Sequence, residues 1–251
     1  MGEHILSWMT FFPVIGAAVI AFIPSERKEI IKTVAAAAAA VPLILAVQIF
    51  INFDRGSSAF QFVEHYSWIK TFNIEYFMGI DGLSVPMVLL TAFLSFICVI
   101  ASWNIDKSVK GYFSLFLILE AGMIGVFCAL DFFLFFVFWE VMLLPMYFLF
   151  GIWGGPRREY AAIKFFIYTF AGGVLMLLAM IAFYLNVTDP VTGGHTFNML
   201  HMFDQDNHSA WLNLTNVRHL IWIALFIGFA IKVPIFPFHT WLPDAHVEAP
   251  T

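Results

Sequence analysis

Seven runs of the chain, near 5–23, 30–51, 79–103, 111–130, 132–153, 160–185 and 218–238, are apolar over a length near that which a helix needs to cross a bilayer core, about 20 residues. That repeated length decides the solvent. Of the 251 residues, 61% are apolar and 12% charged, with a mean hydropathy of +0.87; an ordinary globular domain carries about 25% charged residues. A water-soluble domain of this size still exposes about a quarter of its unfolded surface, and these residues cannot supply a polar coat for it. A soluble enzyme, a nucleic-acid binder and a disordered chain are therefore excluded. Barrel strands would alternate in polarity over about 10 residues, so helices are the expected form of these runs. The first run is expected not to be a cleavable leader, because only Glu3 and His4 stand where a leader carries basic residues.

Pro24, Asn104 to Lys110, Gly154 to Arg158 and the polar stretch 186–217 punctuate the spans. Basic residues orient them. Arg27, Lys28 and Lys32 fall at the first connection, Lys107 and Lys110 at the third, Arg157 and Arg158 at the fifth, while the opposite connections hold Arg55, Lys70 and Arg218. Seven against three places the N-terminus outside. Segment 52–78 alternates apolar and polar residues (Phe72, Ile74, Tyr76 against Asn73, Glu75) and predicts a small surface hairpin. The stretch 186–217 is expected to be irregular. The Ala35–Ala40 run suits close helix packing. Cys98 and Cys128 sit in apolar runs and are expected to be packing residues.

Five ionisable residues lie in or at the edge of spans: Glu120, Asp131, Glu140, Lys164 and Lys232. A charge near the bilayer centre costs about 2.5–3.5 kcal/mol on insertion scales, so such residues face the bundle interior and mark function. Asp131 separates two spans with almost no connection and is expected to cap a helix N-terminus. Glu140, in Phe138-Trp139-Glu140-Val141-Met142-Leu143-Leu144-Pro145, stands about 12–14 Å along its helix, near mid-membrane. Its alternative role is structural, beside a kink at Pro145. Lys232 precedes Pro234 and Pro237, which break the last helix, and broken helices in membranes line wet cavities or ion sites. Its alternative is to snorkel to the inner surface. Lys164, a turn inside its span, has the same alternative. Glu120, nine residues into span four, is a second candidate carboxylate.

The chain ends in His239-Thr240-Trp241-Leu242-Pro243-Asp244-Ala245-His246-Val247-Glu248-Ala249-Pro250-Thr251. A metal reading of this cluster is disfavoured, since Pro243 and Pro250 preclude one clean helical face. An ordered polar connection carrying protons from the cytoplasm to Lys232 through His239 and His246 suits imidazole chemistry better. No dinucleotide fingerprint, P-loop, haem signature or cysteine cluster is present in the sequence, so redox chemistry is expected in another polypeptide.

Met78-Gly79-Ile80-Asp81-Gly82-Leu83-Ser84, Phe138-Trp139-Glu140 with Pro145-Met146-Tyr147, Gly151-Ile152-Trp153-Gly154, and Lys232-Val233-Pro234 leading to His239-Thr240-Trp241-Leu242-Pro243-Asp244-Ala245-His246 resemble the antiporter-like membrane subunits of respiratory complex I. The resemblance covers nearly the whole chain and points to the M-subunit (chain 4) branch of bacterial NADH–quinone oxidoreductase. It implies an all-α integral membrane fold of about fourteen spans, with two inverted five-helix repeats, each carrying a broken helix. This chain would then hold about seven spans: helices 1–3 with the outer hairpin in 1–110, and in 111–251 an incomplete first repeat that stops where an eighth helix should begin. The resemblance also implies proton translocation through buried Lys, Glu and His, coupled to quinone chemistry elsewhere. By it, Glu140 matches the fifth-helix glutamate, Lys232 the lysine of the first broken helix and Lys164 the sixth-helix lysine; Asp81 looks structural. Cofactors (FMN, iron–sulfur clusters, quinone) are expected in partner subunits and none in this chain. The expected partners are the other membrane and peripheral subunits and the lipid of the bacterial inner membrane. Two alternatives are a subunit of a multisubunit sodium/proton antiporter and a non-transporting scaffold.

Overall fold

The computed structural model describes residues 4–249. Glu3, Pro250 and Thr251, which entered the reading of the two ends, lie outside them. Among the described residues, seven helical stretches are long and apolar enough to span a membrane: Ile5–Phe22, Lys28–Asn52, Ser84–Asn104, Val109–Cys128, Phe132–Trp153, Arg158–Asn186 and Thr215–Lys232. As elements these are α1 (Ile5–Phe22), α2 (Lys28–Asn52), α3 (Ser84–Ala101), α4 (Val109–Cys128), α5 (Phe132–Val141) with α6 (Leu143–Trp153), α7 (Arg158–Asn186) and α9 (Thr215–Lys232). Two strands, β1 (Gln61–Ile69) and β2 (Ile74–Ile80), form an antiparallel hairpin, and α8 (Met199–Phe203) and α10 (Trp241–Glu248) are short. Helices α1 to α4 pack on one another, α7 packs on α9 and α10, and the interrupted pair α5–α6 joins the two groups.

Small residues set the closest approaches. A Cβ on Gly16 of α1 would overlap the Cβ of Ala38, within the alanine run of α2. A Cβ on Gly125 of α4 would run into the ring of Phe138, so α5 lies tight against α4 at that level. Cys128 is buried, whereas Cys98 is exposed on the outer side of α3. The packing expectation fails for Cys98 within this chain because its position on α3 faces away from the other described helices.

The hairpin is less superficial than alternation suggested. Ile74, Phe77, Met78 and Ile80 are all buried, so β2 is covered on both faces, and Phe72 falls in the turn before Asn73. Glu64 of β1 is buried and accepts from the amides of Leu6 at 2.7 Å and Ser7 at 3.1 Å, and from the Ser7 hydroxyl. It thereby supplies acceptors that the first turn of α1 lacks. Span three starts at Ser84 rather than 79 because β2 runs to Ile80. Asp81 then closes the turn, its Oδ1 accepting from Leu83 N at 3.1 Å and Ser84 N at 2.8 Å. Burial works against ionisation there, yet the hydrogen bonds from Ser84 and Leu83 hold the carboxyl below its ordinary range.

The stretch 186–217 is also more ordered than expected. Thr188 bridges His195, Val187 bridges His208, and Phe197, Asn198 and Met202 are buried. Residues 129–132 are held between this stretch and the hairpin by Leu130 N to Phe77 O (2.8 Å), Phe132 N to Phe197 O (2.8 Å) and Met199 N to Leu130 O (3.0 Å). Backbone pairing replaced turn chemistry as the source of order. Asp131 sits at the centre, fully buried, accepting from Leu134 N at 3.0 Å as the N-cap of α5 and from Glu75 N at 3.1 Å. Burial pushes its carboxyl up from 3.8 to about 6, with those amides opposing. A carboxyl that binds its proton more tightly folded than unfolded stabilises the fold in acid and loses that contribution as pH rises through the folded value. Asp131→Asn keeps the Leu134 contact and removes the charge. Its melting temperature, relative to the parent protein, is expected to rise between about pH 4 and pH 6 and then stay level; a difference independent of pH would refute the assignment.

Candidate functional site

The site begins at two helix interruptions. Pro145 has no N–H to offer the carbonyl of Val141, so α5 stops at Val141 and α6 starts afresh at Leu143. Glu140 therefore stands on the last turn of α5, inside the span, with its Oε1 against the backbone of α7 at Gly173. A Cβ at Gly173 would collide with that oxygen and lie 3.1 Å from the Glu140 carboxyl carbon.

The second interruption ends α9 at Lys232, earlier than the expected 238, and leaves Pro234 and Pro237 beyond the helix. Pro234 gives Ala230 no donor, and Ile235 N takes that carbonyl instead at 2.8 Å. The Ile231 carbonyl, deprived of its own helical partner, accepts from the buried Trp241 indole N–H at 2.8 Å. Lys232 Nζ lies over the rings of Trp139 (5.4 Å) and Phe165 (5.7 Å), which hold an ammonium by cation–π attraction. Its charge and that of Glu140 act on each other, though no ion pair within 4.0 Å joins them among the described residues.

Lys164 does not join this pair. Its Nζ makes a 2.8 Å ion pair with Asp244 of α10, each side chain about one fifth exposed (20% and 22%). Arg157 approaches the other Asp244 oxygen at 3.6 Å and Glu248 at 3.7 Å, while Glu248 Oε2 accepts from Arg157 N at 2.8 Å. The Lys164 hydrogen bond holds the Asp244 carboxyl below its ordinary range. Along α7, from its N-terminal end inward, the charged groups thus run Arg157 with Glu248, Lys164 with Asp244, Lys232 over Phe165, and Glu140 at Gly173. About 13 Å separates the levels of Lys164 and Gly173 at 1.5 Å per residue.

The remaining candidates lie apart from the row. Glu120 is fully buried in α4 with neither carboxyl oxygen hydrogen-bonded. His239 is partly buried beside Phe236 with Nδ1 unpartnered, and His246 is exposed on α10. The terminal motif forms a helix over Trp241–Glu248, because Pro243 occupies its first turn, where a missing N–H costs nothing. No group of three or more His, Cys, Asp or Glu gathers among the described residues. Asp244, Arg157, Gly173 and Trp139 were not among the transport candidates read from sequence. Only Asp244 carried a usable signal, as the one acid between the two histidines of the terminal motif.

A seven-span helical bundle with charges gathered at two helix interruptions is the architecture of an antiporter-like membrane subunit. Residues 129–251 match the family model described as NADH:quinone oxidoreductase/Mrp antiporter, TM, and residues 9–127 that described as NADH-ubiquinone oxidoreductase chain 4, amino terminus; the chain belongs to this family of membrane subunits. Within it, NADH-quinone oxidoreductase subunit M of Rhodobacter capsulatus is 43% identical over 261 residues, covering 99% of this chain and 49% of the relative. NADH-ubiquinone oxidoreductase chain 4 of Arabidopsis thaliana is 40% identical over 250 residues, covering 98% and 48%. The chain thus spans about half the length of the curated relatives it matches. A chain of respiratory complex I from Thermus thermophilus shares the fold with a TM-score of 0.81 at 22% identity, over 97% of this chain and 47% of that one. A chain of the Mrp complex from Dietzia sp. DQ12-45-1b gives a TM-score of 0.78 at 22% identity, over 97% and 25%.

Proposed function

We propose that this chain moves protons across a membrane as part of an M-type subunit of NADH–quinone oxidoreductase, by alternately strengthening and weakening the attraction between Glu140 and Lys232. The observation that carries the reading is their placement: each stands at a helix interruption inside a span, within electrostatic reach but out of contact. Opposite charges in an apolar medium attract more steeply as they approach, so a small change in separation trades a proton. Moving one charge against 100 mV takes about 2.3 kcal/mol, which sets the change in attraction that the pair must supply.

On this reading Lys164, Glu120, His239 and His246 serve the same transport, residues 111–251 form the start of the first repeat and 1–110 flank it. The N-terminus lies outside the bacterial inner membrane, which puts α10 in the cytoplasm, on the side of Arg27, Lys28, Lys32, Lys107, Lys110, Arg157 and Arg158. Flavin, iron–sulfur and quinone chemistry belongs to partner subunits. Purification of the tagged chain from its native membrane in mild detergent tests the assembly. Partners with flavin and iron–sulfur absorbance and NADH oxidation are expected. Partners without that absorbance, together with a sodium-driven ΔpH response, would transfer the chain to a multisubunit sodium/proton antiporter.

A further inference from the structure

We propose that Asp244 is a positioning residue for proton transport: it holds the Lys164 ammonium away from Lys232, and release of that ion pair lets Lys164 act on the Lys232–Glu140 pair. This rests on the proton-path reading of Glu140 and Lys232. With Asp244 on it at 2.8 Å, Lys164 presents little net charge to its surroundings; released, it presents a full positive charge. Lys232 is placed to feel the difference, because Phe165, the next residue along α7, lies under the Lys232 ammonium.

Asp244 also has somewhere to turn when Lys164 leaves. Arg157 stands 3.6 Å from its other oxygen, and Arg157 itself leans on Glu248, so an alternative cation is already in place. Tyr160 and Tyr168 flank Lys164: its Nζ lies 5.7 Å from the Tyr160 ring, and Tyr168 bonds Thr240 at 2.9 Å. The clamp is mechanically joined to the break in α9. Trp241 begins α10 and donates to Ile231 O, one residue from Lys232, so a shift at the break moves the helix that carries Asp244. Two discrete partners for one carboxylate, on an element tied to the hinge, make a switch rather than a fixed anchor.

The test uses inverted membrane vesicles bearing the assembled complex. Rates of proton uptake and of NADH oxidation are recorded for Asp244→Asn, Asp244→Glu, Lys164→Met and the Lys164→Met/Asp244→Asn double variant between about pH 6 and pH 8. Asp244→Asn is expected to assemble in parental amount, to lower the rate of proton uptake at least about threefold and to displace its pH profile, and Asp244→Glu to restore over half of the loss. In the Lys164→Met background, Asp244→Asn should add less than about 1.5-fold. An unchanged rate of uptake, an undiminished effect without Lys164, or loss of assembly with Asp244→Asn overturns the proposal, the last because Asp244 would then anchor α10. Glu140→Gln measured alongside separates the two ideas. Transport that survives it sinks the proton-path reading; transport abolished by it but untouched by Asp244→Asn sinks only the role of Asp244.

Discussion

Inverted membranes carrying Glu140→Gln are expected to lose proton uptake and NADH oxidation together, each by about tenfold or more, with the complex still assembled. Glutamine matches glutamate in shape, so the side chain can still lie against Gly173 and α5 keeps its packing on α4. What it cannot do is ionise. Lys232 then loses the countercharge that Glu140 supplies, and no change in separation can trade a proton between the two. On the proposed coupling electron flow falls as well, because a proton that does not move holds back the electron transfer tied to it. Glu140→Asp should recover part of the rate, since the charge returns on a shorter arm. Parental rates of both processes in assembled Glu140→Gln would leave Glu140 as a structural residue beside the α5–α6 interruption and put the scaffold reading ahead.

The pair Glu140–Lys232 was legible because an ionisable group in an apolar run is conspicuous and costly, and because proline announces where a helix will stop. Lys164 was less legible. The residues alone left it between a path member and a lysine reaching for the inner surface, the resemblance favoured the path, and neither showed that its partner is an acid 80 positions away. Nothing local predicts that Asp244 will fold back onto α7, since the placement depends on Trp241 finding the carbonyl exposed by Pro234 and Ile235. The hairpin shows the opposite limit. Alternation marked its existence but not its burial, because α4 and α5 pack against β2 and the backbone at 129–130 pairs with its free edge. Pro243 was weighed as a helix breaker, yet in the first turn it is a helix starter.

Two adjacent glycines allow site and scaffold to be told apart. Gly172 and Gly173 both lie on buried positions of α7, and neither belongs to the charged motif. A methyl group at Gly172 would stand 3.2 Å from the Gly228 carbonyl and 3.3 Å from Ile231 Cβ, that is, against backbone and a β-branched stem of α9 that cannot step aside. Gly172→Ala is therefore expected to force α7 and α9 apart, at a cost of about 1–3 kcal/mol, and to lower the amount of assembled complex. At Gly173 the obstacle is the end of the Glu140 side chain, which has three rotatable bonds and can swing away. Gly173→Ala should leave assembly and melting temperature near parental values while proton uptake falls about tenfold, because the carboxylate is displaced from its station beside Lys232. Blue-native gels and ΔpH measurements on the same vesicles read both quantities. If Gly173→Ala transports protons at the parental rate, the carboxylate does not need its present place, and the geometric basis for the Glu140–Lys232 exchange fails even if Glu140→Gln is inactive. If Gly173→Ala fails to assemble as Gly172→Ala does, the glycine pair is a packing seam of α7 and Glu140 is held by it rather than poised against it.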